Sequence, residues 1–268
     1  MSNQITDFLK YANLQMAAEA LFGFNARNGN AVNLRPGDTT ILGETLSITN
    51  LIVGNDHASV FTPTSAAQFA PGWTVVQHKS NTATGFSGTL FRYDGPTDAA
   101  KGLTIGELVL SIRSTEFIDD SVRDNQATNA MEIQQKGFAF GQIADMEDWY
   151  GELKASGGPL AGKTFAVTGY SLGGHLATAF AQMRIGDATP NAITNPNPVA
   201  NPVTATYTFN GAGVGMVTSG TLWDVISTFR QQRANANGNA FTFSTPAINA
   251  LYAQQIANGV RSFIITPQ

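Results

Sequence analysis

The sequence predicts an α/β fold, with a mostly parallel central sheet and helices on both of its faces. Three observations predict it. Strand-like runs alternate with helical segments along the second half of the chain, the order that builds a parallel sheet. Residues 107–112 form a continuous apolar run, as expected for a strand buried on both faces. Residues 164–168 form a second such run, and it passes through a glycine-flanked turn straight into an alanine-rich helix.

Taken in order, residues 5–22 place apolar side chains at helical spacing (Phe8, Leu9, Ala12, Met16, Leu21) and predict an amphipathic helix. Residues 25–56 are rich in Gly, Asn and Thr, with short strand-like runs at 40–42 and 46–53. Segments 73–78 and 86–93 read as strands that bracket a turn near residues 81–85. Residues 134–154 predict a long helix with Phe138, Ile143, Met146, Trp149 and Leu153 on its apolar side. A helix over 172–183, a strand over 205–209, a helix over 247–257 and a strand over 262–265 follow. The expected organisation is one domain over residues 1–268, with an N-terminal helical and β extension over about 1–72.

Composition narrows the function. A chain of 268 residues buries enough surface for a core without disulfides or metals. Charged residues are 13% of the total and the net charge is −4, which leaves no basic footprint for nucleic acid. The absence of cysteine excludes a disulfide framework and suits export routes that skip oxidative folding. Residues 1–22 do not read as a signal peptide, because Asp7, Lys10 and Glu19 interrupt the apolar run and the start is not basic. No stretch approaches the roughly 20 apolar residues of a membrane-spanning helix. The expectation is a secreted protein without an N-terminal signal peptide, with the cytoplasm as the alternative.

The motif that carries chemistry is Gly169-Tyr170-Ser171-Leu172-Gly173. A serine between glycines, on a sharp turn from an apolar strand into a helix, is held up at the sheet edge. It also sits at a helix N-terminus, where N–H groups and the helix dipole favour developing negative charge. A capping serine at a tight turn is the plainer reading, but it does not require glycine on both sides.

Residues 167–177, Val-Thr-Gly-Tyr-Ser-Leu-Gly-Gly-His-Leu-Ala, resemble the nucleophile segment of bacterial lipases related to the fungal triacylglycerol lipases. These belong to the α/β-hydrolase superfamily, and many bacterial members are exported with glycine-rich calcium-binding repeats. Residues 108–116, Leu-Val-Leu-Ser-Ile-Arg-Ser-Thr-Glu, resemble the strand those lipases end with Arg-Gly-Thr. The resemblance spans roughly residues 86–215. It departs at Tyr170, where the family usually has His, and at Ser114, where it usually has Gly. It implies an α/β-hydrolase that cleaves carboxylic esters of lipids or other apolar acyl groups through a Ser171 acyl-enzyme. The oxyanion hole would use the N–H groups of Leu172 and Thr115, with the Thr115 hydroxyl. Transient contact with a lipid surface is expected, and no organic cofactor. A phospholipase or a polyester hydrolase would share these residues, and a catalytically inactive hydrolase fold that serves as a binding module is the alternative of another class.

A serine nucleophile needs a histidine base oriented by a carboxylate, in the chain order Ser, Asp or Glu, His. The histidines are His57, His78 and His175, so no histidine comes late. His175, one helical turn past Ser171, reads as a packed helix residue in preference to a base. His57 and His78 read as surface or half-buried residues. Asp187 and Asp224 are the downstream acids, and Asp224 reads more simply as a charge at a helix start. The expectation is therefore that the domain is incomplete at its C-terminus, with acid and base beyond Gln268. The acidic segment Glu116, Asp119, Asp120, Asp124 offers oxygen ligands for a structural calcium, but lacks the alternation of a helix-loop-helix site and reads as a solvated loop. Residues 117–129 read either as a lid over an apolar pocket or as a surface loop.

Overall fold

The structure is a computed structural model, and it describes residues 4–20, 44–46, 48–54, 60–82, 84–115, 128–130, 132–134, 137–189, 197–217, 221–227 and 230. The first helix, α1 (Gln4–Ala18), forms where the periodicity places it but turns a different face inward. Its buried residues include Tyr11, Leu14, Ala17 and Ala18, whereas Phe8 and Leu9, expected to face inward, are 45% and 61% exposed. A period of 3.6 says which residues share a face. It does not say which of two partly apolar faces meets the sheet, and here the face carrying two alanines makes the close approach.

The strand β1 (Glu44–Thr45) is short. The strand expected over 46–53 is instead largely helix α2 (Ile48–Val53). Its β-branched residues suggested a strand, but Leu51 is fully buried in the core, and Gly54, at φ 57°, ends the turn through a bond from its N–H to the Asn50 carbonyl. Helix α3 (Pro63–Phe69) had no expectation; Thr62 caps it through the Ser65 N–H, and Pro63 begins it. The segment at 40–42, the helix over 247–257 and the strand over 262–265 lie outside the described residues.

Strands β2 (Trp73–Lys79), β3 (Gly88–Tyr93), β4 (Leu108–Ile112), β5 (Phe165–Tyr170) and β6 (Val203–Phe209) complete one six-stranded sheet in the order β1-β2-β3-β4-β5-β6. The pairs β1–β2, β2–β3 and β3–β4 are antiparallel, while β4–β5 and β5–β6 are parallel. The expectation of a mostly parallel sheet is thus corrected to a mixed one. Among the described residues, the links before β3 and β4 carry no α-helix, so the chain turns back on itself. The links after β4 and β5 carry α4 (Phe140–Lys154) and α5 (Leu172–Ala188), which return the chain in the same direction. Helix α4 starts at Phe140 rather than residue 134 because Gly137, at φ 83°, cannot continue a right-handed helix.

The sheet separates two cores. Leu110, Ile112, Phe165 and Val167 face α4 and α5, together with Phe140, Ile143, Leu176 and Phe180. Val109 and Ala166 face the other way, with Leu14, Leu51, Val75 and Phe91. Strands β4 and β5 are covered on both sides, which is why they read as unbroken apolar runs. Among the described residues, no helix is long and apolar enough to cross a membrane.

Candidate active site

Strand β5 ends at Tyr170, and the next residue, Ser171, has φ 49° and ψ −115°. Positive φ is uncommon for a residue with a side chain and costs on the order of 1–3 kcal/mol. The backbone on either side of it is closely packed. A methyl group at Gly169 would overlap the Gly173 carbonyl, one at Gly173 would overlap the Ile112 carbonyl, and one at Gly174 would lie 2.8 Å from the Gly211 Cα. The elbow is therefore squeezed between the end of β4 and the loop after β6. The backbone is bonded there too: Ser171 N–H donates to Phe209 O at the end of β6 (3.0 Å), and Ala212 N–H in the loop donates to Ser171 O (3.2 Å). Ser171 occupies the N-cap of α5, yet its side chain makes no capping hydrogen bond. A serine placed there to cap would accept an N–H from the first turn. Ser171 itself is half-buried.

The residues expected to line an oxyanion hole lie at the same end of the sheet. Ile112 is in register with Gly169 across the parallel β4–β5 pair, so the chain leaving β4 at Arg113 and the chain leaving β5 at Tyr170 emerge side by side. In open sheets of this kind, ligands bind beyond the carboxyl ends of the parallel strands. Leu172 opens α5, and the first turn of a helix leaves its N–H groups without partners in the helix. Thr115 is buried, and its hydroxyl oxygen accepts a hydrogen bond from Asn129 Nδ2 at 2.9 Å.

The chain matches no family model, no curated protein and no solved structure. The functional reading rests on the geometry and on the residues that carry it.

His175 is fully buried, and both ring nitrogens are engaged. Its Nε2 accepts the Ala139 N–H at 3.1 Å, so Nδ1 carries the proton and donates to the Gly213 carbonyl at 3.0 Å. Burial holds this imidazole below its ordinary pKa, and the bond to Gly213 opposes the shift. In this arrangement His175 ties the start of α4 to the loop after β6, and its ring does not bond the Ser171 hydroxyl. His78 Nδ1 lies 3.0 Å from Thr89 Oγ1 on the neighbouring strand, and burial followed by the Arg113 charge pushes its pKa down. His57 lies outside the described residues.

The bonds of the two downstream acids lead elsewhere than to His78 or His175. Asp187 accepts from Trp223 Nε1 at 2.7 Å and pairs with Arg184 Nε at 3.0 Å. Asp224 accepts from the N–H (2.7 Å) and hydroxyl (2.8 Å) of Thr221 and so closes the first turn of the short helix at 222–227. The acidic segment at Glu116, Asp119, Asp120 and Asp124 lies outside the described residues, as does the lid segment up to residue 127. Among the described residues, no cluster of His, Asp or Glu is arranged to hold a metal ion.

Among the described residues, two of the cavities are large, and Ser171 lines neither of these. One of about 730 Å³ runs beside the C-terminal half of α5, between Phe138, Met183 and Trp223. The other, of about 630 Å³, lies at the opposite end of β4 and β5, among Lys10, Tyr11 and Glu107. Two contributors to the Ser171 end carried no recognisable signal in the sequence. Asn129 reaches Thr115 across 14 residues, and Glu19 reaches Ser114 across 95. Only a fold could bring them there.

Proposed function

We propose that this protein is a serine hydrolase that cleaves carboxylic esters of lipids or other apolar acyl groups through an acyl-enzyme on Ser171. One observation carries the reading. Ser171 is held at positive φ between glycines that tolerate no side chain, with its hydroxyl unused as a cap. A strained serine in that position is what a nucleophile requires, and what a structural turn would avoid. In the reaction, Ser171 Oγ attacks the ester carbonyl and gives its proton to a base. The carbonyl oxygen gathers negative charge towards the Leu172 N–H and Thr115, the alcohol leaves with a proton, and water then releases the acid. The preference for apolar acyl esters rests on the resemblance of residues 167–177 and 108–116 to lipases of the α/β-hydrolase superfamily. The reading needs no organic cofactor.

A second reading, an inactive hydrolase-like fold acting as a binding module, is favoured by the committed ring nitrogens of His175. Hydrolysis of p-nitrophenyl butyrate and labelling by a fluorophosphonate probe separate the two. Turnover and labelling that both vanish in Ser171→Ala are expected, because loss of a catalytic serine costs up to about a millionfold in kcat. A folded wild-type chain that neither labels nor turns over would show that residues 1–268 hold no base for Ser171 and would favour the binding module.

A further inference from the structure

Ser114 is the first residue whose N–H falls beyond the sheet. The ladder of β4 ends at Ile112, and Arg113 N–H makes a last bond to the Ser87 carbonyl at 3.1 Å. A backbone donor in such a place must find a partner, and a loop carbonyl or water would satisfy it. The partner here is a carboxylate from the far end of the chain: Glu19 Oε1 accepts the Ser114 N–H at 2.7 Å and Gln15 Nε2 at 3.2 Å. Glu19 is 2% exposed and stands one residue past the end of α1.

The helix that projects Glu19 is itself fastened to the two strands that carry the site. Ser111 Oγ on β4 donates to the Leu14 carbonyl (3.2 Å), and Thr168 Oγ1 on β5 donates to the Tyr11 carbonyl (3.3 Å). Burial pushes the Glu19 carboxyl up, while the Arg113 charge and the Ser114 and Gln15 bonds hold it down. A carboxylate is expensive to bury and is kept buried only when its bonds are made. One of those bonds ends on the backbone directly before Thr115.

We propose that Glu19 is a positioning residue for the oxyanion loop, fixing Ser114 and therefore Thr115 beside the Ser171 elbow from the opposite face of the sheet. The proposal rests on the serine-hydrolase reading. An oxyanion donor acts only if it is in place before charge develops, and a displacement of about 1 Å can cost about a hundredfold in rate. Glu19 supplies that placement without touching substrate.

The test uses the full chain with p-nitrophenyl butyrate, together with amide hydrogen exchange at Ser114. Glu19→Ala is expected to lower kcat about 10–100-fold with KM within about twofold, and to speed exchange at Ser114. Glu19→Gln keeps an oxygen that accepts the N–H, so it is expected to restore kcat to within about threefold of wild type and to keep the amide protected. Should Glu19→Ala fail to fold, the double variant E19M/R113M removes the Glu19 and Arg113 charges together, and the same kcat loss is expected from it. Wild-type kcat in folded variants that have lost protection at Ser114 would overturn the proposal, as would equal loss of kcat in Glu19→Gln and Glu19→Ala. A wild-type chain without Ser171-dependent turnover would overturn the hydrolase reading and the catalytic meaning of the anchor with it. That failure appears in the unsubstituted protein and is thereby distinguished from a failure of Glu19.

Discussion

Gly173 and Gly151 are both helical glycines, but a methyl on Gly173 would meet the Ile112 carbonyl, whereas nothing lies within 4 Å of one on Gly151. The same substitution should therefore have opposite signs. Gly173→Ala forces the end of β4 away from the elbow, an overpacking cost of about 1–3 kcal/mol. In a chain of this size that lowers Tm by roughly 2–4 °C per kcal/mol. Gly151→Ala removes a glycine from a helix interior and should raise stability by up to about 1 kcal/mol. Differential scanning calorimetry of the two variants checks this, and equal melting temperatures would contradict the close approach. Thr115 gives a residue-scale prediction about rate. Its hydroxyl oxygen already accepts from Asn129, so its proton remains available to an oxyanion. On the proposed mechanism Thr115→Ala should lower kcat, by up to the hundredfold to thousandfold seen for a lost oxyanion donor, with Tm nearly unchanged. Unaltered kcat would remove Thr115 from the site.

Among the elements, α1 is the one whose role changes most between sequence and structure. Read alone, it belongs to an N-terminal extension. In the fold it covers the face of the sheet behind β4 and β5, with Leu14 fully buried and hydrogen bonds arriving from Ser111 and Thr168. Leu14→Ala should cost about 2–5 kcal/mol, the range for a large side chain removed from a core. Leu9→Ala, at an exposed position of the same helix, should stay within about 0.5 kcal/mol. Urea denaturation of the pair measures which stripe of α1 meets the sheet. Had the stripe containing Phe8 and Leu9 been the inner one, the ranking would reverse.

For the molecule as a whole, pH probes the tie that His175 makes between α4, α5 and the loop after β6. Its native imidazole is neutral, with a pKa below the ordinary value because of burial. The unfolded chain protonates this ring near pH 6.5. Below that pH the unfolded state binds the extra proton, so stability falls with acidification, by up to about 1.4 kcal/mol per pH unit for one group, until the native pKa is reached. The buried carboxylates Glu19 and Glu147 have raised native pKa values and work in the opposite sense. They are common to wild type and His175→Asn, so the difference between the two isolates the histidine. The expected result is a shallower loss of stability between pH 6.5 and 5 in His175→Asn, measured by denaturant titration across that range. Identical slopes would mean that His175 is not held neutral.

The residues by themselves determined the strands β2 to β6, the helices around Ser171 and the elbow itself. These are set by local physics: the period of apolar side chains, the double burial of β4 and β5, and glycines at 169 and 173 where the chain bends. Tertiary structure alone decided the mixed direction of the sheet, the helix in place of a strand at 48–53, and the inner face of α1. Each of these compares two locally acceptable arrangements, and the winner is chosen by what the rest of the molecule presses against it. The partners of the site belong to the same class. The commitment of both His175 nitrogens, the clasp of Asn129 on Thr115 and the reach of Glu19 to Ser114 join residues 14 to 95 positions apart. A hydrogen bond of 2.7 Å between such positions leaves no period or motif in the chain, because it depends on where the backbone has already been carried.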